Sequence, residues 1–502
     1  MADKMPDSHA AILRRVARQA MHERGLLTDF PPEALAQLER INVSIQASAA
    51  GSTQAAGLRD KRSLAWCSID NPDSRDLDQL SVCEMSSGGI ARILVAIADV
   101  DELVAEGTPI DERARHNAST VYTAAEIFHM LPERLSTDLS SLNQGQERAA
   151  IVIQMDVSPD GLVRTSDVYR ARVLNKARLN YEEVALWLDG IGPEPAAMAA
   201  VPGLAENLRQ QDRAATALRT RRFAEGALEF ISREYRPVFD GVNLVELRLT
   251  GKDRAKDDIE NFMIAANAAV ARFLESKRAP VFARVVRKPK RWDRIMAIAA
   301  GRGRVLPEQP DPKALSRFLA DERARDPGAF PDLSLSIVKL LGGGEYYPSF
   351  PGREPEGHFG LAVCDYAHST APNRRYPDLI THRILKAALD GRECPYSEAE
   401  LMELGRHCSA REDLVNKVER QVAKSAAALL LSSRIGENFR VMVTGAAEKG
   451  TWVRLKDWPV EGRLVLGSQG LDVGDSLQVR LISADVERGY LDFEREEGPG
   501  RG

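Results

Sequence analysis

The chain has 502 residues, 44% of them hydrophobic and 28% charged, with a net charge of −5. At about 100–200 residues per domain the length implies roughly three units, and the composition excludes a disordered, collagen-like or disulfide-scaffold protein. No apolar run reaches the roughly 18 residues of a membrane span, and MADKMPDSHA lacks the apolar stretch of a secretory signal. Five scattered cysteines (Cys67, Cys83, Cys364, Cys394, Cys408) form no CxxC pair, which fits a reduced, cytoplasmic setting and argues against zinc. A net negative charge gives no global attraction to nucleic acid, so any such binding must rest on local basic clusters.

Residues 9–25 (HAAILRRVARQAMHERG) place apolar side chains at helical spacing, with arginines between them, and stop at Gly25. A second short helix is predicted from about Pro31 to Ile41. Residues 1–60 are therefore expected to form a small helical module, of which a winged helix is one form and a packing hairpin another. SIQASAAGSTQAAGLRD has the composition of a linker or surface loop.

Residues 61–434 alternate strand and helix patterns without an evident linker, which predicts one large α+β domain. LAWCSID and ARILVAIADV read as buried strands, and DDIENFMIAANAAVARFLESK reads as an amphipathic helix. Ser397 to Ile435 reads as a long helix, opened by a capping box of Ser397 and Glu400 and closed by Gly436. In residues 435–496, five short β-prone runs between glycine turns predict a small OB-type barrel, with Lys449, Arg454 and Arg463 as basic residues able to hold a strand. A disordered tail is expected over 497–502.

SIDNPDSRDLDQL carries Asp70, Asp73, Asp76 and Asp78 directly after a predicted buried strand. In extended backbone Asp76 and Asp78 project to one side, and Asp70 joins them if the NPDSR loop folds back. Carboxylates forced together repel unless a cation neutralises them. Hard oxygen ligands suit magnesium, with manganese as the alternative, and two-metal carboxylate sites serve in-line phosphodiester cleavage. A solvated acidic loop has the same spacing; the glycine and distal glutamate of a calcium loop are missing.

IDNPDSRDLDQL resembles the four-aspartate signature of the ribonuclease II (RNB) family of 3′-to-5′ exoribonucleases, and the likeness continues in order. VAIADVDELVAEGTPID, STVYTAAEIFHMLPERLSTDLSSLN, IENFMIAAN, GHFGLAVCDYAHSTAPNRRYPDLITHR and the VERQVAK helix each look like the next family block, from about Leu64 to Leu430. The resemblance implies an RNB-like catalytic domain over 61–434 and an S1-type RNA-binding barrel over 435–496. It further implies a processive, sequence-independent exoribonuclease that threads single-stranded RNA 3′ end first and releases nucleoside 5′-monophosphates. A catalytically weakened RNA-binding relative and a metal phosphoesterase for small nucleotides are the alternatives. Single-stranded RNA is the one partner expected; no membrane partner is expected, and the chain is read as a monomer.

Carried over position by position, the resemblance puts metal-site aspartates at Asp70, Asp76 and Asp78, with Asp78 the one on which cleavage depends. The fourth falls on Gln79, a neutral carbonyl where the family has an anion. Arg374 matches the arginine at the scissile phosphate, although NRRYPD alone also suits a structural salt bridge. Tyr122 and Tyr181 match aromatics that bracket the terminal bases, and Phe230 matches the clamp at the other end; core packing is the alternative for each. Glu260 and Glu419 match acidic positions near the leaving nucleotide, with pairing to surface arginines as their alternative. His358, His368 and His382 have no metal-pair spacing and read as buried, hydrogen-bonded side chains. Val286 departs from the family's polar residue. Beside it a basic run (Arg284, Arg287, Lys288, Lys290, Arg291, Arg294) suits either phosphate contacts or a solvated face. Residues 1–60 are too few for the two cold-shock domains usual in bacterial members.

Overall fold

A computed structural model describes residues 8–50, 57–231, 234–447, 450–456, 458 and 460–496. Its centre is a seven-stranded mixed sheet. In spatial order the strands are Arg59–Asp60, Val163–Leu174, Glu147–Val157, Ala91–Ala98, Gln79–Met85, Cys67–Asp70 and Ala177–Asn180. The two edge pairings are parallel and the rest antiparallel. Ala91–Ala98 lies in the middle and buries all but one of its side chains. Its apolar run from Ile93 to Ala98, in place of alternation, is what cover on both faces demands. Helices Leu204–Glu225 and Arg254–Ser276 pack on the sheet and on each other, contributing Leu208, Ala215, Phe262, Ala266 and Val270 to the main core.

The N-terminal helices are present, but they form no separate module. His9–Glu23 is capped by Ser8, whose hydroxyl accepts from the Ala11 N–H, and its buried stripe lies along the long helix Glu398–Leu431. The second helix, Pro32–Ala50, sets Ala34 and Leu38 into the main core. It continues through the SIQASAA stretch that composition assigned to a linker. Alanine is the strongest helix former, and that outweighs the small polar residues there. No strand precedes Arg59 among the described residues, so no wing is found there. Residues 51–56, Lys449 and the 497–502 tail lie outside the described residues.

Ser397 and Glu400 form the expected capping box, and the long helix passes into a 3-10 turn at Ser432–Arg434, short of Ile435. Beyond it, strands Asn438–Ala447, Gly450–Leu455, Glu461–Leu466, Ser476–Asp485 and Tyr490–Arg495 close into a barrel. Its core of Phe439, Val453, Leu481 and Phe493 is shared with Ala427, Ala428 and Leu431 of the long helix. Gly462 is needed where it stands, because a Cβ there would lie 2.4 Å from the Phe493 ring. Arg454, expected among the RNA-holding residues, instead donates to Asp332 at 3.1 Å and docks the barrel on helix Phe330–Leu341. No helix among the described residues is long and apolar enough to cross a membrane.

Candidate active site at the end of the central sheet

Strand Cys67–Asp70 ends because Pro72 has no N–H for the ladder and biases Asn71 away from helix. The Asp70 carboxylate accepts from the Asn71 N–H (2.7 Å) and the Ser74 hydroxyl (2.6 Å), and Ser74 N–H closes a turn onto the Asn71 carbonyl. Leu77 is buried, its N–H held by the Ser141 hydroxyl at 3.0 Å and its carbonyl by the Leu142 N–H. That pins extended backbone through Asp76, Leu77 and Asp78, so the two aspartates share a side. Asp78 then enters strand Gln79–Met85 beside Asp70's strand. One loop thus brings three carboxylates to one end of the sheet. Asp73 points elsewhere, to Arg236 of the hairpin Glu234–Asp240/Asn243–Thr250.

The arginine segment arrives from 296 residues away. Asp78 is 2% exposed and accepts from the Asn373 N–H (3.1 Å) and from Arg374 Nε (3.2 Å). The loop carrying Arg374 is fixed from behind by Asp378, which accepts from the Ala371 N–H and from Arg375, each at 2.8 Å. The ambiguity of NRRYPD therefore resolves into two roles: Arg375 ties the loop to its helix, while Arg374 faces Asp78 with nearly half its side chain exposed. The Arg374 carbonyl also accepts from the Thr120 N–H, stitching this loop to the strand that carries Tyr122.

Tyr122 donates its hydroxyl to Asp76 at 3.0 Å, and its N–H is held by Glu419 of the long helix at 2.9 Å. Glu419 therefore acts on the aromatic hairpin's backbone, and burial raises its carboxyl above the usual range. Tyr181 opens helix Tyr181–Leu188 directly after Asn180, the residue paired with Asp70 across the edge of the sheet. Burial, with Asp70 nearby, pushes its phenol up. Phe230 and Glu260 are not brought to the aspartates. They line a cavity of about 310 Å3 together with Arg222, Lys252 and Val286, and Glu260 accepts from Lys252 at 2.8 Å. Among the described residues no side-chain hydrogen bond fixes where the Gln79 carbonyl points. In the basic run, Arg284 pairs with Glu412 and Arg287 with Glu345 and Glu356, leaving Lys288, Lys290, Arg291 and Arg294 exposed. His358 accepts from the Leu361 N–H, His368 meets the Tyr346 hydroxyl and His382 the Ser369 carbonyl.

His129 was passed over in the sequence. Val121–Tyr122 pairs with Ile127–Phe128, so His129 shares the face of Tyr122 and lies opposite Phe128. It stands in the field of Asp76, its buried Nδ1 has no hydrogen-bond partner among the described residues, and burial holds the ring below the usual imidazole value. No sequence signal was available, because strands of two residues show no alternation until they are paired.

A divalent cation fits this cluster in kind. Three hard carboxylates face one guanidinium; burial pushes Asp78 up to about 7 and raises Asp70, with Asp76 adding to both. These are carboxylates short of positive charge. No three acidic, histidine or cysteine side chains among the described residues sit close enough to hold an ion as they stand. Asp78 already accepts from Arg374 and the Asn373 N–H, so an ion loaded there would share this carboxylate with the guanidinium or displace it.

Burial of Asp78 has a consequence for folding. Its carboxyl titrates near 4 in an unfolded chain and at about 7 here. The folded state holds the proton more tightly, so this contribution is complete below the unfolded value and is lost as pH rises through about 7. Thermal melts of metal-free protein should lose stability from about pH 4 to about pH 7, and Asp78→Asn should flatten that loss. Parallel curves for the two proteins would contradict it.

The RNB domain family matches residues 58–391, and the RNase II-type exonuclease C-terminal S1 domain matches residues 437–496. The chain belongs to the RNB family. It is 30% identical over 500 residues to ribonuclease R of Aquifex aeolicus, covering 93% of this chain and 68% of that one. To ribonuclease R of Escherichia coli it is 30% identical over 475 residues, covering 87% of this chain and 57% of the other. Among solved structures, Mycoplasma genitalium RNase R in complex with ribose-methylated single-stranded RNA superposes with a TM-score of 0.83 at 22% identity, over 97% of this chain and 78% of that one. Yeast Ssd1, a pseudonuclease, shares the fold at a TM-score of 0.63 and 15% identity, over 95% of this chain and 57% of its own.

Proposed function

We propose that the chain is a processive, sequence-independent 3′-to-5′ exoribonuclease that hydrolyses single-stranded RNA to nucleoside 5′-monophosphates. Magnesium, with manganese as the alternative, would be held by Asp70, Asp76 and Asp78, with Gln79 at the fourth position. A pseudonuclease shares this fold, so the fold alone does not carry the reading. What carries it is one juxtaposition: Arg374 on Asp78, beside an Asp76 that accepts from Tyr122. A divalent cation bound at such carboxylates activates water and stabilises a leaving oxygen.

The chain's own residues supply the rest. Arg374 offers a two-point clamp for a phosphate once it turns from Asp78, and its charge favours a phosphate that gains negative charge during attack. Tyr122 and Tyr181 flank the aspartates and give a terminal base π faces to stack on, at roughly 1–3 kcal/mol per base and without reading sequence. On the barrel, Trp452 is partly exposed across from Arg463, a pairing suited to a strand outside the site.

The test is a 5′-labelled single-stranded RNA incubated with magnesium or with a chelator. Progressive shortening from the 3′ end with magnesium alone is expected, whereas binding without shortening would favour the RNA-binding alternative. Gln79→Asp should lower the magnesium concentration for half-maximal activity, since an added anion strengthens a hard-cation site. An unchanged or higher requirement in the titration would mean that position 79 does not face the ion.

A further inference from the structure

The hairpin that presents Tyr122 is made of two strands of two residues each, Val121–Tyr122 and Ile127–Phe128. A hairpin that small has no stability of its own, so its position is set by what it packs on. Behind it, Val121 and Phe128 share an apolar cluster with Ala17, Ala20, Met21 and Leu26 of the N-terminal segment and with valines of the long helix. At its turn, the Glu126 carboxylate receives Arg18 in two-point geometry, Nε at 3.1 Å and Nη2 at 2.5 Å. The Glu126 carbonyl accepts from the Thr123 N–H and hydroxyl, so the ion pair is anchored to the turn's backbone. In front, Tyr122 bonds Asp76 and Glu419.

The sequence places arginines between the apolar positions of this helix. In the fold they hold protein: Arg15 meets Glu487 of the barrel, Arg18 meets Glu126 and Asp29, and Arg24 meets Gln421. We propose that helix His9–Glu23 braces the aromatic hairpin and that Arg18, acting through Glu126, is a positioning residue for Tyr122. This rests on the exoribonuclease reading for its catalytic consequence, but not for its structural one. A tyrosine held in place before RNA arrives loses less freedom on stacking, and a small misplacement of it is felt at the reacting end.

The test uses the full chain. Hydrogen exchange of residues 119–128 is measured with and without Arg18→Ala; exchange about tenfold faster in this segment, with the central sheet unchanged, is expected. Exchange at the wild-type rate overturns the brace, whatever the protein does to RNA. In steady-state cleavage of single-stranded RNA, Arg18→Ala should lower kcat about threefold to tenfold while KM stays within about twofold, and Arg18→Lys, which keeps the charge but not the two-point contact, should recover only part of the loss. In a Tyr122→Ala background the same Arg18→Ala change should alter kcat by less than about 1.5-fold. An equal fall in both backgrounds means that Arg18 does not act through Tyr122 and overturns the assignment. A wild-type protein that leaves RNA intact defeats the exoribonuclease reading instead, and the exchange result then decides the brace alone.

Discussion

Asp78→Asn is expected to slow RNA cleavage by at least about a hundredfold while affinity for a long single strand stays within about twofold. The carboxylate is buried at the end of the sheet, and its two protein partners are the Asn373 N–H and Arg374. Asparagine keeps the shape and one acceptor oxygen but removes the charge. The aromatic hairpin and the barrel, proposed to hold RNA, are separate elements that the substitution leaves in place. Single-turnover cleavage beside a binding titration separates the two quantities. Turnover near the wild-type rate would remove Asp78 from the mechanism.

The second large effect is expected at Arg374. Arg374→Ala should cost about a hundredfold to a thousandfold in cleavage, the scale of losing one preorganised charge donor at a transition state. Its signature should differ from that of Asp78→Asn. Removing the guanidinium frees Asp78 from its ion pair, so the magnesium requirement should stay equal or fall even as the maximal rate collapses. Arg374→Lys should recover only part of the rate, because an ammonium cannot make the planar two-point contact. A magnesium titration of the maximal rate checks both variants. A raised requirement in Arg374→Ala would mean that the arginine supports the ion site and does not compete for it.

Much of the site was legible because its signals are local. The carboxylates lie within nine residues, and a proline closes the strand before them. The barrel was readable from its glycine-separated runs, and the long helix from Ser397 and Glu400. What local pattern cannot carry is the partner across the fold. That Arg374 meets Asp78 while Arg375 serves Asp378 is a contact between segments 296 residues apart, and NRRYPD reads equally well for either role. That Glu419 accepts from the Tyr122 N–H could not be read from the VERQVAK helix, which lies 297 residues away. His129 escaped because strands of two residues show no periodicity until they are paired. Arg454 was expected to hold RNA on the barrel, and here it joins the barrel to a helix; the N-terminal arginines likewise join elements together.

The central claim is that the acidic end of the sheet hydrolyses RNA from its 3′ end, one nucleotide at a time. It is tested most directly with a single-stranded RNA labelled on the phosphate of its last internucleotide bond, mixed with the full chain and magnesium and sampled before the bulk is consumed. The account predicts a labelled nucleoside 5′-monophosphate as the first product, before any labelled fragment. Labelled oligonucleotides appearing first would mean internal cleavage and would contradict the account, as would label that stays in full-length RNA.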